Sequence, residues 1–412
     1  MEQGSDRVLD NTEIYAHRPR RLLMVNLPYQ GHMNPTLATV RTLMGKGYRV
    51  DYIADPRWRE AVEATGARFI SYDSYSEHPG RFESSVKSIA QAARTVLRVG
   101  REGKYSALLY EGFFVYGKTL ADRLGLPSIR LNSIFAYTPK VLETITATGG
   151  WHVSLMLKGG LALKLLSRLM HRRGLIESDD LVREMVANLP TMTYVYTAES
   201  FQMDHESLPA DRFHFIGPSL DGRPRTDETV DRLVEEAGDR PIIYASLGTL
   251  FNDFTKFYLD CIRAFGDQPV EVVMAVGSRF DRSKLGRIPG NFHIYDSVNQ
   301  LAVLDHTSLF ITHGGMNSVN EALYSQVPMV LVPMADDQPA VAGRVQELEL
   351  GRVIRRQDLS SKTLAHTARE VMNSHRIRES LAAMATEMKS SGGNIRLASE
   401  LDDLLCEDSL QG

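Results

Sequence analysis

What most constrains this chain is a rhythm of short apolar runs alternating with longer amphipathic stretches, played twice. The runs 22–27, 49–54, 68–72, 107–110 and 128–131 read as buried strands bounded by Gly, Pro or Asp, with helical stretches such as 36–44 and 118–124 between them. Continuous rather than alternating hydrophobicity marks strands covered on both faces, as in a parallel sheet with helices on each side. The rhythm lapses across 139–189, a long Leu- and Met-rich helical stretch, and returns briefly at 194–196 and 213–216. Gly, Pro, Asp and Arg then crowd 217–240, a linker-like composition. Beyond it the runs 242–246, 270–276, 293–295, 309–312 and 329–332 restart the pattern. Two doubly wound α/β halves account for 412 residues better than one very large sheet. The expected division is a disordered leader 1–20, a first domain 21–220, a linker 221–240 and a second domain 241–412. The last helical stretch, 395–405, is a candidate to cross back to the first half.

Composition removes other classes. Forty-seven Lys plus Arg against fifty-one Asp plus Glu leave a net charge of −4, so no basic field recommends a nucleic acid as partner. Cys261 and Cys406 are far apart and lack CxxC or Cys/His spacing, which fits thiols in a reducing, cytoplasmic setting rather than a metal cage. The most lipid-like stretch, 151–174, carries Lys158, Lys164, Arg168, Arg172 and Arg173, and its apolar run falls short of the ~20 residues a spanning helix needs. Its basic amphipathic character permits contact with a membrane surface, which is not the expected location.

One motif is a decoy. Residues 112–119, GFFVYGKT, match GxxxxGK[ST] between a predicted strand and a predicted helix, as a phosphate-binding P-loop would. A loop that wraps its amides around phosphate does not suit four bulky, β-prone interior residues, Phe113, Phe114, Val115 and Tyr116. A P-loop phosphotransferase using Lys118 is the rival reading. No GxGxxG fingerprint supports a dinucleotide oxidoreductase.

The chemistry concentrates after the strand 309–312, at Thr312, His313, Gly314, Gly315, Met316, Asn317, Ser318, Val319, Asn320 and Glu321. Glycines opening a helix let a ligand approach the backbone, and the free amides and dipole there favour an anion such as a diphosphate. Glu321 falls one turn beyond Asn317, where a carboxylate can accept both hydroxyls of a ribose. The bland alternative is a capped helix with a structural histidine. After the next strand come Asp336, Asp337 and Gln338, which either cap a helix or hold a sugar at the carboxyl edge of the sheet.

Residues 313–338, HGGMNSVNEALYSQVPMVLVPMADDQ, resemble the nucleotide-sugar signature of the UDP-glycosyltransferase superfamily, and the start LLMVNLPYQGHMNPTLATVRTLMGKGYRV is similar to bacterial macrolide- and flavonoid-type members. The resemblance implies a GT-B fold, two Rossmann-like domains facing a cleft, with the acceptor on the first and the nucleotide sugar on the second. It implies that His313, Gly315, Asn317 and Ser318 surround the diphosphate, that Glu321 binds ribose, and that Asp337 and Gln338 hold sugar hydroxyls. Ser246, Gly248 and Thr249 match the family's Ser-x-Gly-Ser/Thr turn at the phosphate. Val298 and Gln300 lie where relatives carry Trp-x-Pro-Gln beside the base, and Ser297 in place of that Trp removes a stacking platform.

His32, in the loop YQGHMNP, matches the family's general base, and Glu111 stands where relatives carry the orienting Asp, one methylene longer. A solvated acid beside an unpaired histidine is the bland alternative. The implied reaction is an inverting transfer of a sugar, glucose being the commonest, from UDP to the hydroxyl of a hydrophobic small molecule such as a flavonoid, macrolide or sterol, with no metal or other cofactor. Phe113, Phe114, Phe135 and Trp151 are the expected acceptor surface. A non-catalytic nucleotide-sugar binding protein is the second rival.

Overall fold

The structure, a computed structural model, describes residues 20–72, 81–149, 161–248 and 253–411. The expected leader, apart from Arg20, lies outside these residues, as do Trp151 and Thr249. Among the described residues thirteen strands form two wholly parallel sheets. The first holds β1 (Arg21–Val25), β2 (Arg49–Ala54), β3 (Arg68–Ser71), β4 (Ala107–Glu111), β5 (Ser128–Asn132), β6 (Met192–Val195) and β7 (Phe213–Phe215), in the order β3-β2-β1-β4-β5-β6-β7. The second holds β8 (Ile242–Ser246), β9 (Glu271–Ala275), β10 (Phe292–Tyr295), β11 (Thr307–Thr312), β12 (Met329–Leu331) and β13 (Gly351–Val353), in the order β10-β9-β8-β11-β12-β13. Both orders reverse direction beside their first strand, and the crevice at the carboxyl ends there is where open α/β sheets take ligands.

The apolar runs are continuous because each central strand feeds two cores. Leu22 and Met24 of β1 join Val40 and Leu43 of the helix Gln30–Gly45 on one face. Leu23 and Val25 join Ala92 and Val96 of the helix Arg81–Glu102 on the other. The first of these cores also contains Leu397, Ala398, Leu401 and Leu405 of the final helix, Gly393–Gln411. That helix leaves the second sheet and covers the first, where Tyr48 donates to Asp402 at 2.5 Å and Thr39 to Asn394 at 2.7 Å.

Four local expectations change. The 217–240 segment contains a helix, Glu228–Ala237, because Asp227 caps its first amides and Val230, Leu233 and Ala237 supply a buried stripe. The 139–189 stretch divides at the described residues into Pro139–Thr148, Leu161–Arg172 and Leu181–Ala187, with Thr138 and Asp180 as side-chain caps of the first and third. The edge strand β13, three residues with Arg352 at its centre, carries no apolar run to announce it. The first helix begins at Gln30 rather than residue 36 and passes through Pro35. Among the described residues no helix is long and apolar enough to cross a membrane.

Candidate active site

On the first domain the site is built at the ends of β1, β4 and β5. Asn26, fully buried just beyond β1, donates from Nδ2 to the His32 carbonyl at 3.0 Å and to Thr36 Oγ1 at 2.8 Å, fixing the opening turn of the helix Gln30–Gly45. That turn aims the His32 ring at Glu111, the last residue of β4. His32 Nδ1 lies 2.6 Å from Glu111 Oε1. The backbone amide of Phe113 donates to Glu111 Oε2 at 2.9 Å, and Ser133 Oγ, just past β5, lies 2.8 Å from Oε1 and 2.7 Å from His32 Nδ1. Glu111 is 0 % exposed, so these contacts replace its hydration. Burial disfavours the charged His32 ring, but the Glu111 carboxylate beside it outweighs burial and holds its pKa above the usual 6.5. With Nδ1 facing the carboxylate, Nε2 is the nitrogen left to receive a proton.

The GFFVYGKT turn does not cradle phosphate. The Phe114 amide donates to the Glu111 carbonyl, the Val115 amide to Phe113 and the Gly117 amide to Phe114, while Lys118 pairs with Asp122 at 2.5 Å. The amides of Phe114, Val115 and Gly117 and the Lys118 cation already have local partners, which argues against the P-loop reading. Gly117 is required by packing instead, since a Cβ there would lie 2.2 Å from the Tyr110 ring. Of the expected acceptor aromatics, Phe113 is 37 % exposed with its ring edge-on to His32 at 4.8 Å. Phe114 and Phe135 are instead core residues, both 0 % exposed. Phe114 packs on Tyr116, and Phe135 stacks on Phe201 in the cluster that continues into the second domain. A one-residue step along a turn reverses a side chain's direction, and composition alone does not reveal which aromatic faces out.

On the second domain, β11 ends at Thr312 and the helix Met316–Tyr324 begins after Gly315. His313 lies between two glycines: a Cβ at Gly248 would lie 2.7 Å from its ring, and one at Gly315 2.6 Å. Gly248 has φ +72°, the conformation glycine alone adopts freely. Burial pushes His313 down to about 4, an effect that the Ser246 backbone beside it partly offsets. Ser246 Oγ in turn accepts from the Gly248 amide at 3.2 Å, closing the turn. Thus Ser246, Gly248, His313 and Gly315 assemble as one corner at the carboxyl edge of the second sheet.

At the start of the short helix Gln300–Leu304, Gln300 gathers the remaining residues. Its Nε2 donates to Glu321 Oε2 at 2.7 Å and to Ser318 Oγ at 3.2 Å, and its Oε1 accepts from Tyr244. Val298 packs partly buried against the second-domain core. Arg223 Nη1 donates to Glu321 Oε1 at 2.5 Å, so a residue of the interdomain segment holds the expected ribose ligand. Gln338 accepts the Met334 and Ala335 amides with Oε1 at 2.9 and 3.2 Å, committing that atom to shaping the turn before it. Half-buried Asp337 remains, its carboxyl pushed up to about 6 by burial.

One of the contacts between the two halves is made by Asn317, whose Nδ2 donates to the Gly31 carbonyl at 2.5 Å. That acceptor exists because Pro35 has no N–H to complete the i→i−4 bond to Gly31. The helix that carries His32 therefore docks on the first turn of the helix Met316–Tyr324. Ser133, Arg223 and Pro35 carry this geometry without being singled out by sequence. Ser133 was the most accessible of them, since Glu111 pairs with Leu131 in the parallel register and residues just past β5 must face the same crevice.

Residues 195–389 match the family described as UDP-glucoronosyl and UDP-glucosyl transferase. The chain is 32 % identical to NDP-glycosyltransferase YjiC of Bacillus subtilis (strain 168), over 92 % of this chain and 96 % of that one. It is 27 % identical to the oleandomycin glycosyltransferase of Streptomyces antibioticus, over 92 % and 90 %. Among solved structures it superposes on CalG4, the calicheamicin glycosyltransferase, with a TM-score of 0.78 at 28 % identity, covering 94 % of this chain and 98 % of that one.

Proposed function

Because the chain belongs to the UDP-glucoronosyl and UDP-glucosyl transferase family, as a bacterial UDP-glycosyltransferase of GT-B architecture, we propose that it moves a sugar, glucose first among candidates, from a UDP-sugar to a hydroxyl of a hydrophobic natural-product acceptor with inversion. The observation that carries this reading is the His32–Glu111 pair at 2.6 Å, held within one helical turn of a backbone contact to the donor-side helix. His32 Nε2 takes the acceptor's hydroxyl proton, and the oxygen attacks the anomeric carbon as UDP departs from the opposite face. Glu111 keeps the proton on Nδ1 beforehand and stabilises the imidazolium afterwards. Charge growing on the diphosphate meets the amides at the start of the helix Met316–Tyr324, together with Ser246, Gly248 and His313. Glu321 exchanges Arg223 for the ribose hydroxyls, and Asp337 accepts from the sugar. Neutral donors and a helix terminus do this work without a divalent cation, so EDTA leaves turnover unchanged.

The acceptor enters over Phe113, whose exposed ring edges His32. A flat phenol or a greasy alcohol suits that surface, in keeping with the names of the relatives that act on oleandomycin and calicheamicin. The test is mass spectrometry of a panel of phenols and alcohols incubated with UDP-glucose, UDP-N-acetylglucosamine and TDP-sugars, run beside His32→Ala. The variant is expected to bind UDP as the parent does and to lose about 10² to 10⁴ in turnover. Undiminished turnover in His32→Ala would reject the base assignment. UDP binding without transfer to any acceptor would favour a binding protein.

A further inference from the structure

We infer that Ser133 is a positioning residue for the catalytic pair: its hydroxyl pins Glu111 Oε1 against His32 Nδ1 and so makes a glutamate serve where the side chain's extra methylene would otherwise leave the carboxylate loose. The inference rests on the reading of His32 as the base.

The three atoms form a closed triangle, with 2.6 Å from Nδ1 to Oε1, 2.7 Å from Nδ1 to Oγ and 2.8 Å from Oγ to Oε1. Two hydrogens must be placed within it. Glu111 as a carboxylate is an acceptor only, and a bare Nδ1 lone pair facing it at 2.6 Å would be repelled. Nδ1 therefore carries one hydrogen, which leaves Nε2 as the basic nitrogen. The Ser133 hydrogen then has one acceptor left, Oε1, since a protonated Nδ1 accepts nothing. Oε1 takes two donors and Oε2 takes the Phe113 amide. Ser133 is 3 % exposed and Glu111 0 %, so no bulk water substitutes for a missing donor. A glutamate has one more rotatable bond than an aspartate, and two points of attachment, one per oxygen, remove that freedom. The hydroxyl supplies the point on the side that faces the histidine.

The charged groups acting on His32 are Glu111 from its own domain and Asp337 from the second. Ser133 and the imidazole N–H share Oε1. Without the hydroxyl, more of that oxygen's charge falls to the imidazolium, so His32 titrates at higher pH.

The experiment compares Ser133→Thr, which keeps the hydroxyl, with Ser133→Val, which has the same shape without it, and Ser133→Ala as a smaller variant should the branched pair fold poorly. Each is measured for kcat, both KM values, UDP affinity and the pH profile of kcat/KM, with His32→Ala alongside. The expected result is kcat within twofold of the parent for Thr and roughly three- to tenfold lower for Val and Ala, the worth of one buried hydrogen bond. Donor KM and UDP affinity stay unchanged, and the acid limb of the profile moves to higher pH in Val and Ala only. Equal kcat and equal profiles for Thr, Val and Ala would overturn the inference. So would a rise in donor KM at constant kcat, which would place the hydroxyl on the sugar. If His32→Ala alone abolishes turnover while Val and Ala do not change it, the base reading stands and this inference falls. Full turnover in His32→Ala overturns both.

Discussion

Asp337 sits between the two chemistries of the cleft. Burial raises its carboxyl to about 6, and its charge is one of the influences that raise His32 across the gap between domains. The ionised form accepts charge-assisted hydrogen bonds from sugar hydroxyls, stronger than those the neutral acid makes, so the contribution to donor binding proposed for it is fullest above about pH 6 and weakens as the carboxyl is protonated below it. UDP-glucose affinity, measured by calorimetry on the parent and on Asp337→Asn, should therefore differ by several-fold at pH 7 and converge near pH 5. A ratio that does not change with pH would remove Asp337 from the sugar's contacts. Taking the ratio between two proteins cancels the titration of the nucleotide itself. His313, pushed down to about 4, is neutral in the free protein across the same range.

At the scale of elements, Pro35 shows how a local defect becomes a joint. In a helix interior, proline removes one backbone bond and costs about 3 kcal/mol or more. Here it frees the Gly31 carbonyl for Asn317. Pro35→Ala restores an N–H to compete for that carbonyl, so the first helix gains a bond while the bridge between domains loses its acceptor. The expected outcome is an unchanged or higher melting temperature with a wider cleft, read as a larger radius of gyration in X-ray scattering, and several-fold lower turnover. Identical scattering and turnover would show that the bridge does not hold the cleft. The same helix marks the limit of sequence reading. Alternation of apolar runs reveals the strands because burial on both faces is a property of the run itself, as in β1, β4 and β8. Pro35 argued for a helix starting after it, yet six earlier residues are helical because Asn26 anchors the opening turn through bonds that no periodicity encodes. Glu228–Ala237 was likewise hidden by the Gly, Pro and Arg just before it. His32 and Glu111 were legible as a pair only through resemblance. Ser133 and Arg223 were not, since a serine after one strand and an arginine in a connector acquire meaning only when a distant carboxylate meets them.

For the whole molecule, a net charge of −4 coexists with a site for an anionic diphosphate because a helix terminus and its glycines act locally, over a range shorter than the screened reach of the overall charge. A local site of this kind requires the domains to be held in register, and the chain does so by returning. The final helix starts at Gly393, after the second domain is complete, and its Leu397, Ala398, Leu401 and Leu405 finish the core under β1 and β2. The first sheet is thus stabilised by residues that follow the second domain in the chain. Leu401 is 0 % exposed, so Leu401→Ala should cost about 2 to 5 kcal/mol. Because its contacts are with Leu22, Met24 and their neighbours and not with the second sheet, that loss belongs to the first domain. Calorimetry should show the first-domain transition moving to lower temperature and separating from a second transition that UDP still raises, since the contacts proposed for the nucleotide lie on the second domain. Turnover would fall in step with the folded fraction of the first domain, while UDP affinity stayed near that of the parent. A single transition that shifts as one unit, with UDP affinity lost in proportion, would mean instead that the two sheets fold only together and that the returning helix couples them rather than completing one of them.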